Sequence, residues 1–373
     1  MDNEATFVAH VSNPNFKEGR GFFYRLGDLN ELSLVEVLEE NKVATLFEKG
    51  LETSGIKSEE FFGTFPRVKK LYESVNARGS IYLREFNAIR DELVEEGVEY
   101  ILIKSDGTFP HESDNLDVLI RPMDFLETIE MLEKRGYKEV SSVREPHKFL
   151  LEKVSNPRER VKVHVHTRVE WEGVEFLNLE KLWERRKLYK EDSTMISAPS
   201  PEDYILIATA HLFFEDHNVK LRDLIRISLC LVSQPIDWDY VLDHVERLRW
   251  SHAFCLVMLL LDDVYEVLYG QKMLPPYVTS RIEECLPLYC KVLLKCLDAD
   301  RIPLEIPYAI PALFFVRKVL ADVEMTPLAR IGLLGFVASD VLRRKLSMVG
   351  SSPQAHEEAS WNLSPDGPFH VSE

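Results

Sequence analysis

Between Tyr100 and Pro122 the chain reads YILIKSDGTFPHESDNLDVLIRP. Two short apolar, β-branched runs, at 100–103 and 118–120, bracket a polar segment that carries Lys104, Ser105, Asp106, Gly107, Asp114, Asn115 and Asp117. Runs this short between turn-forming residues fold as strand, tight loop and strand. Because side chains alternate along a strand, Asn115 and Asp117 project together, and Asp114 and Leu116 point the other way. Acidic and amide oxygens on one face at the start of a buried strand suit a hard divalent cation held against phosphate oxygens. The same residues are also ordinary turn formers beside Gly107 and Pro110, so both readings stand at this point.

Composition narrows the function classes. The 373 residues are enough for two or three units with a sizeable core, and 45% of them are apolar. A formal net charge of -17 argues against general nucleic-acid binding, which needs clustered Lys and Arg on phosphates. The five cysteines, Cys230, Cys255, Cys285, Cys290 and Cys296, are odd in number and contain no C-x-x-C pair. They are expected to be buried free thiols of a cytoplasmic protein rather than disulfides or zinc ligands. The N-terminal MDNEATFVAH lacks the basic-then-apolar pattern of a secretory signal, and no apolar run reaches membrane-spanning length, so no membrane partner is expected. Glutamine occurs only at 234, 271 and 354 among abundant Glu, Lys and Arg, which fits a thermophilic source.

Periodicity divides the chain. Residues 1–30, with Pro14, Gly19, Gly21 and Gly27, read as an irregular arm. Residues 31–97 read as a helical segment in which a long helix runs from Pro66 to the stop at Gly97. Residues 98–198 form an α+β core: strand 99–104, strand 116–121, a helix after Asp124 closed by Gly136, then strands near 147–153 and 161–169. From 199 to 348 the pattern is helical, opening with Ser200 as cap and proceeding through segments near 220–232, 238–248, 251–269, 277–297, 309–323 and 327–346. The tail 349–373, rich in Ser, Pro, Gly and acidic residues, is expected to be disordered.

Several segments in this order resemble the uncharacterised nucleotidyltransferase family, whose core belongs to the polymerase-beta-type nucleotidyltransferase superfamily. They are VEVLEENKVATLFEKGLE, LREFNAIRDELVEEGVEYILIKS, NLDVLIRPMDFLETIEMLEKRGYKEV, VKVHVHTRVEW, SPEDYILIATAHLFFEDHNVKLRDLIRI and PIDWDYVL, together spanning about 35–270. The resemblance implies a small mixed sheet flanked by an N-terminal helical segment and a C-terminal helical domain. It further implies Mg2+-dependent binding of a nucleoside triphosphate and nucleotidyl transfer to an unidentified acceptor, a protein or a small molecule. In such chemistry carboxylates hold Mg2+, which neutralises the triphosphate and activates an attacking oxygen.

Carried over residue by residue, the resemblance assigns catalytic roles to Asp117, Asn115 and Asp114, and metal ligation to Asp117, Asn115 and His164. Lys104, Ser105, Gly107 and Arg121 would contact the phosphates. The chain departs from the family pattern at each catalytic point. Lys104 and Ser105 fill the small-residue position after the first strand, Asn115 replaces the first carboxylate, and the third falls on His164 or His166. Imidazole suits Mg2+ poorly. The alternative expectation is therefore a catalytically degenerate member that serves as a ligand- or protein-binding module.

His164 and His166, two apart on one strand face, invite a zinc reading, but no third and fourth ligand is evident, and a polar strand face is the favoured reading. Glu170 continues the same alternation. His211 resembles a histidine of the family's C-terminal helix and otherwise reads as a hydrogen-bonded core residue. Arg222 and Asp223 line the cleft or pair between helices, and the second role is favoured. Lys104 is either a phosphate contact or a strand-end partner of Asp106 or Asp117.

Overall fold

A computed structural model of the chain describes residues 3–16, 26–141, 148–156, 159–171, 174–191, 193–297, 299, 301–321, 327, 330–335 and 337. The fold is α+β. Five helices come first: α1 (Asn3–Ser12), α2 (Glu31–Asn41), α3 (Ala44–Thr53), α4 (Ser58–Thr64) and α5 (Pro66–Glu95). Asn30 starts α2 by accepting hydrogen bonds from the backbone N–H groups of Leu32 and Ser33, and Pro66 sits in the first turn of α5, where a missing N–H is harmless. Where the sequence pattern reads as an irregular arm, α1 forms instead. Its Phe7, Val8 and Val11 are buried, and it is tied to a distant helix by bonds to Ala9 O from Tyr269 and between His10 and Leu268 O. Gly50 permits this packing, since a Cβ there would fall 1.7 Å from the carbonyl oxygen of Val11.

The central sheet has the order β1-β2-β5-β4-β3, built from β1 (Tyr100–Leu102), β2 (Leu116–Ile120), β3 (Lys138–Ser141), β4 (Lys148–Asn156) and β5 (Glu159–His166). Strands β2 and β5 pair in parallel and the other neighbours are antiparallel. Helix α6 (Phe125–Lys134) lies between β2 and β3. One face of the sheet is apolar: Leu116, Val118, Ile120, Leu151, Val161, Val163 and Val165 pack with Tyr82, Phe86, Ile89 and Leu93 of α5 and with Ile129 and Leu132 of α6. Burial of each such side chain stabilises the fold by about 1.5–3 kcal/mol. Strand alternation then obliges the intervening residues, Asp117, His164 and His166 among them, to emerge on the opposite face.

The stretch 170–198 holds more structure than its pattern indicates: a two-residue hairpin of β6 (Glu170–Trp171) and β7 (Val174–Glu175), helix α7 (Leu179–Arg185), and the hairpin β8 (Lys187–Glu191) with β9 (Thr194–Ala198). Helix α8 (Pro201–His211) follows, capped by Ser200, whose Oγ accepts from the Asp203 N–H. Strand β10 (Asn218–Val219) precedes α9 (Leu221–Ser233), α10 (Trp238–Arg247) and α11 (Ser251–Tyr269). The expected single helix over 277–297 is two, α12 (Pro276–Cys285) and α13 (Leu288–Cys296), because Pro287 has no N–H and disfavours helix in the residue before it. Strand β11 (Leu304–Glu305), paired with β10, and α14 (Ala309–Ala321) complete the described elements.

Backbone contacts divide the chain into units 1–318 and 319–373, and the first contains the sheet. Cys230, Cys255 and Cys290 are buried as expected, but Cys285 and Cys296 are exposed, at the ends of α12 and α13. Among the described residues no helix is long and apolar enough to cross a membrane. The tail from 349 onward and most of the helical segment expected over 327–346 lie outside the described residues.

Candidate functional site

Register builds the site. In the parallel pair of β2 and β5, Asp117 lies opposite His164 and Leu119 opposite His166, so the three polar side chains emerge on one face within a strand spacing of one another. His166 Nε2 is 3.0 Å and His164 Nδ1 3.5 Å from Asp117 Oδ1. The two imidazole rings stand 4.3 Å apart, tilted by 47°. Asn115, one residue before β2, shares the face and places Nδ2 3.4 Å from both Asp117 Oδ1 and His164 Nδ1. Asp117 is 2% exposed and His166 4%. Among the described residues, Asp117, His164 and His166 each offer a ligand atom, all within 4.8 Å of one another. Two buried polar atoms of this group, Asp117 Oδ2 and His164 Nε2, have no hydrogen-bond partner.

Lys104 enters from the turn after β1, where the Ile103 N–H bonds to Asp117 O and carries the strand pairing one residue further. Its Nζ lies 3.3 Å from Asp117 Oδ1 and 2.9 Å from His211 Nε2. His211 ends α8, which continues as a wide π-helical turn, Leu212–Asp216. The wider turn changes which side chains stand beside His211. Glu215 Oε2 thereby comes 3.3 Å from His211 Nε2 and accepts a hydrogen bond from the Trp171 indole, and Asp216 Oδ2 lies 3.7 Å from His211 Nδ1.

The electrostatics follow from burial and pairing. Burial works against a charge on Asp117, but Lys104 and the two imidazoles hold its carboxyl well below the usual range. Burial likewise opposes the charge on Lys104, and Asp117, Glu215 and Asp216 outweigh it, raising the ammonium's pKa. Burial pushes His166 down to about 4 against the pull of Asp117, so near neutral pH it is neutral and donates Nε2–H to Asp117 Oδ1. His211 is lowered by burial and by Lys104; neutral, it accepts the Lys104 proton at Nε2 and carries its own at Nδ1, toward Asp216. Burial opposes ionisation of Glu215 as well, but His211 once it is protonated in acid, with Lys104, Lys148 and the indole, holds it down at about 2.

Beside this cluster opens a cleft lined by Lys104, Glu112, Tyr204, His211, Arg222, Asp223 and Arg226 among others. Arg222 pairs with its neighbour Asp223 at 3.1 Å, and Arg226 with Asp106 at 3.3 Å. The Arg226 Nε is buried and has no partner.

The structure gathers Lys104, Asn115, Asp117, His164 and His166 with His211, places Arg222 and Asp223 in the adjoining cleft, and leaves Asp114, Ser105, Gly107, Arg121 and Glu170 elsewhere. Asp114 lies two residues before β2, is largely exposed and pairs with Lys42 and Arg78. Ser105 is fully buried, its Oγ donating to Thr108 O and accepting from the Gly107 N–H. Gly107, at φ +102°, lies against the Tyr189 ring and shapes the loop. Arg121 stacks 4.3 Å over Trp183 and pairs with Glu99 and Glu180. Glu170 pairs with Arg168 at 3.8 Å. Asp216, Glu215 and Trp171 escaped the sequence reading. The only signal was an acidic pair one turn past His211, and its position beside His211 depends on a π bulge with no sequence signature.

No curated protein and no solved structure gives a significant match to the chain. The matched part of the chain starts after Lys104, Ser105 and Gly107 and holds Asn115, Asp117, both strand histidines, His211 and the Arg222–Arg226 turn. Over residues 111–266 the chain matches the model of a family described as uncharacterised nucleotidyltransferase.

Proposed function

We propose that this protein is nucleotidyltransferase-like and binds a nucleoside triphosphate in the cleft beside Asp117, with its phosphates against Lys104, Arg222 and Arg226. The observation that carries the reading is the placement of those three cations along one cleft at the edge of the polar sheet face, within the family-matched region or directly preceding it. The first turn of α9 supplies Arg222 and Asp223, so the positive end of a 13-residue helix adds to the attraction for an anion. The unpartnered Nε of Arg226 is a donor that a phosphate oxygen would satisfy.

Magnesium, which the family's chemistry calls for, does not fit this donor set. Mg2+ requires oxygen ligands, and the sheet face offers one carboxylate, two imidazoles and an amide, with the Lys104 ammonium already 3.3 Å from that carboxylate. The chain's own groups orient the ligand: Lys104 is fixed between Asp117 and His211, and Asp117 is kept ionised by the same contact. Nucleotidyl transfer to an acceptor, a protein or a small molecule, is the reaction consistent with the family description. A second reading, a binding module without transfer, is favoured by the single carboxylate and its pairing with an ammonium.

Calorimetry of ATP and GTP against the full chain and Lys104→Gln tests the proposal. Saturable binding that weakens at least tenfold in a folded Lys104→Gln supports it, and absence of binding to either nucleotide at millimolar concentration refutes it. Label transfer from an α-labelled triphosphate then separates transferase from module.

A further inference from the structure

We infer that Asp117, His164 and His166 form a binding site for a transition-metal ion of the zinc class, distinct in chemistry from the oxygen-ligated Mg2+ expected of a nucleotidyltransferase. Three observations converge. The donor set is nitrogen-rich, two imidazoles and one carboxylate, a combination suited to Zn2+ or Co2+ rather than to hard alkaline-earth ions. The spacings fit: ligands about 2.0–2.1 Å from a tetrahedral ion stand roughly 3.3 Å apart. The Asp117 Oδ1 lies 3.5 Å from His164 Nδ1 and 3.0 Å from His166 Nε2, which would give up its hydrogen bond to Asp117 and ligate in the Nδ1–H tautomer. Finally, Asp117 Oδ2, the second oxygen of the same carboxylate, is buried without a hydrogen-bond partner, so the carboxylate keeps an uncommitted acceptor for an ion to engage.

The backbone predisposes the three groups. Parallel pairing sets Asp117 directly opposite His164, and the two-residue period returns His166 to the same face, so the site rests on two adjacent strands of the central sheet. Three protein ligands leave a fourth position for water or a ligand, as in catalytic zinc sites. Lys104 competes for the same carboxylate oxygen, from 3.3 Å. Its ammonium also has His211 2.9 Å away, a partner that can retain it when a metal takes Asp117.

The test uses the full chain stripped with chelator and titrated with Co2+ in the absence of nucleotide. The expected result is one Co2+ per chain with visible d–d absorption, displaced by an equivalent of Zn2+ and unaffected by a large excess of Mg2+. His164→Gln and His166→Gln each weaken binding at least tenfold, and Lys104→Gln, which removes the competing charge, tightens it. If His166→Gln fails to fold, the less buried His164 carries the test alone. Absence of saturable Co2+ binding, or binding indifferent to the histidine substitutions, overturns the inference. Because metal binding is read without nucleotide and nucleotide binding with chelator present, failure of this site and failure of the proposed nucleotide cleft are separately visible.

Discussion

The ammonium of Lys104 stands 3.3 Å from the carboxylate of Asp117, whose side chain is almost wholly removed from solvent. Neither charge is tolerable there alone, so the pair is a single unit. Lys104→Ala leaves an unpaired buried anion and is expected to destabilise the protein by about 3–5 kcal/mol. Lys104→Gln combined with Asp117→Asn should cost clearly less than the sum of the two single changes. Urea unfolding of the four chains checks this, and additive losses would show that the two residues do not interact.

The loop between β1 and β2 holds Lys104 in place, and its shape depends on Gly107. At φ +102°, where a Cβ would fall only 2.7 Å from the Tyr189 ring, any side chain here is strained and forces Tyr189 to shift. Gly107→Ala should lower stability by about 1–3 kcal/mol through backbone strain, with more if Tyr189 cannot move. Thermal unfolding together with nucleotide titration measures both effects, and an unchanged melting temperature would contradict the account.

Much of this architecture was legible beforehand. The long helix ending at Gly97, the strand pair around 100–120, the cap at Ser200 and the helices at 238 and 251 follow from local periodicity and turn chemistry, and they formed where expected. The alternation that sends Asn115 and Asp117 to one face was legible too. What local pattern cannot carry is pairing between distant segments. The juxtaposition of Asp117 with His164 and His166 comes from the register of a neighbouring strand, Asp117 standing 47 residues earlier than His164. Likewise, α1 is defined by its burial against α3 and α11, and Glu215 by a π bulge, neither of which periodicity reports.

Glu215 gives a pH signature. Its folded pKa is held at about 2, below the ~4.3 of an unperturbed Glu. The unfolded chain therefore binds the proton first as pH falls, so the stabilisation is fully present above the unfolded value and is lost as pH drops toward 2. The stability difference between the native chain and Glu215→Gln should shrink steadily from about pH 5 to about pH 2. Denaturant titrations across that window test it, and a difference independent of pH would rule out the ionised role of Glu215.

The central claim is that the chain's own cations, with no magnesium between them, hold the triphosphate. The most direct measurement is the ATP dissociation constant determined twice, in chelator and in excess Mg2+. The account predicts binding in chelator, with the two constants within about threefold, a difference under roughly 1 kcal/mol. Binding that appears only when Mg2+ is added would contradict it.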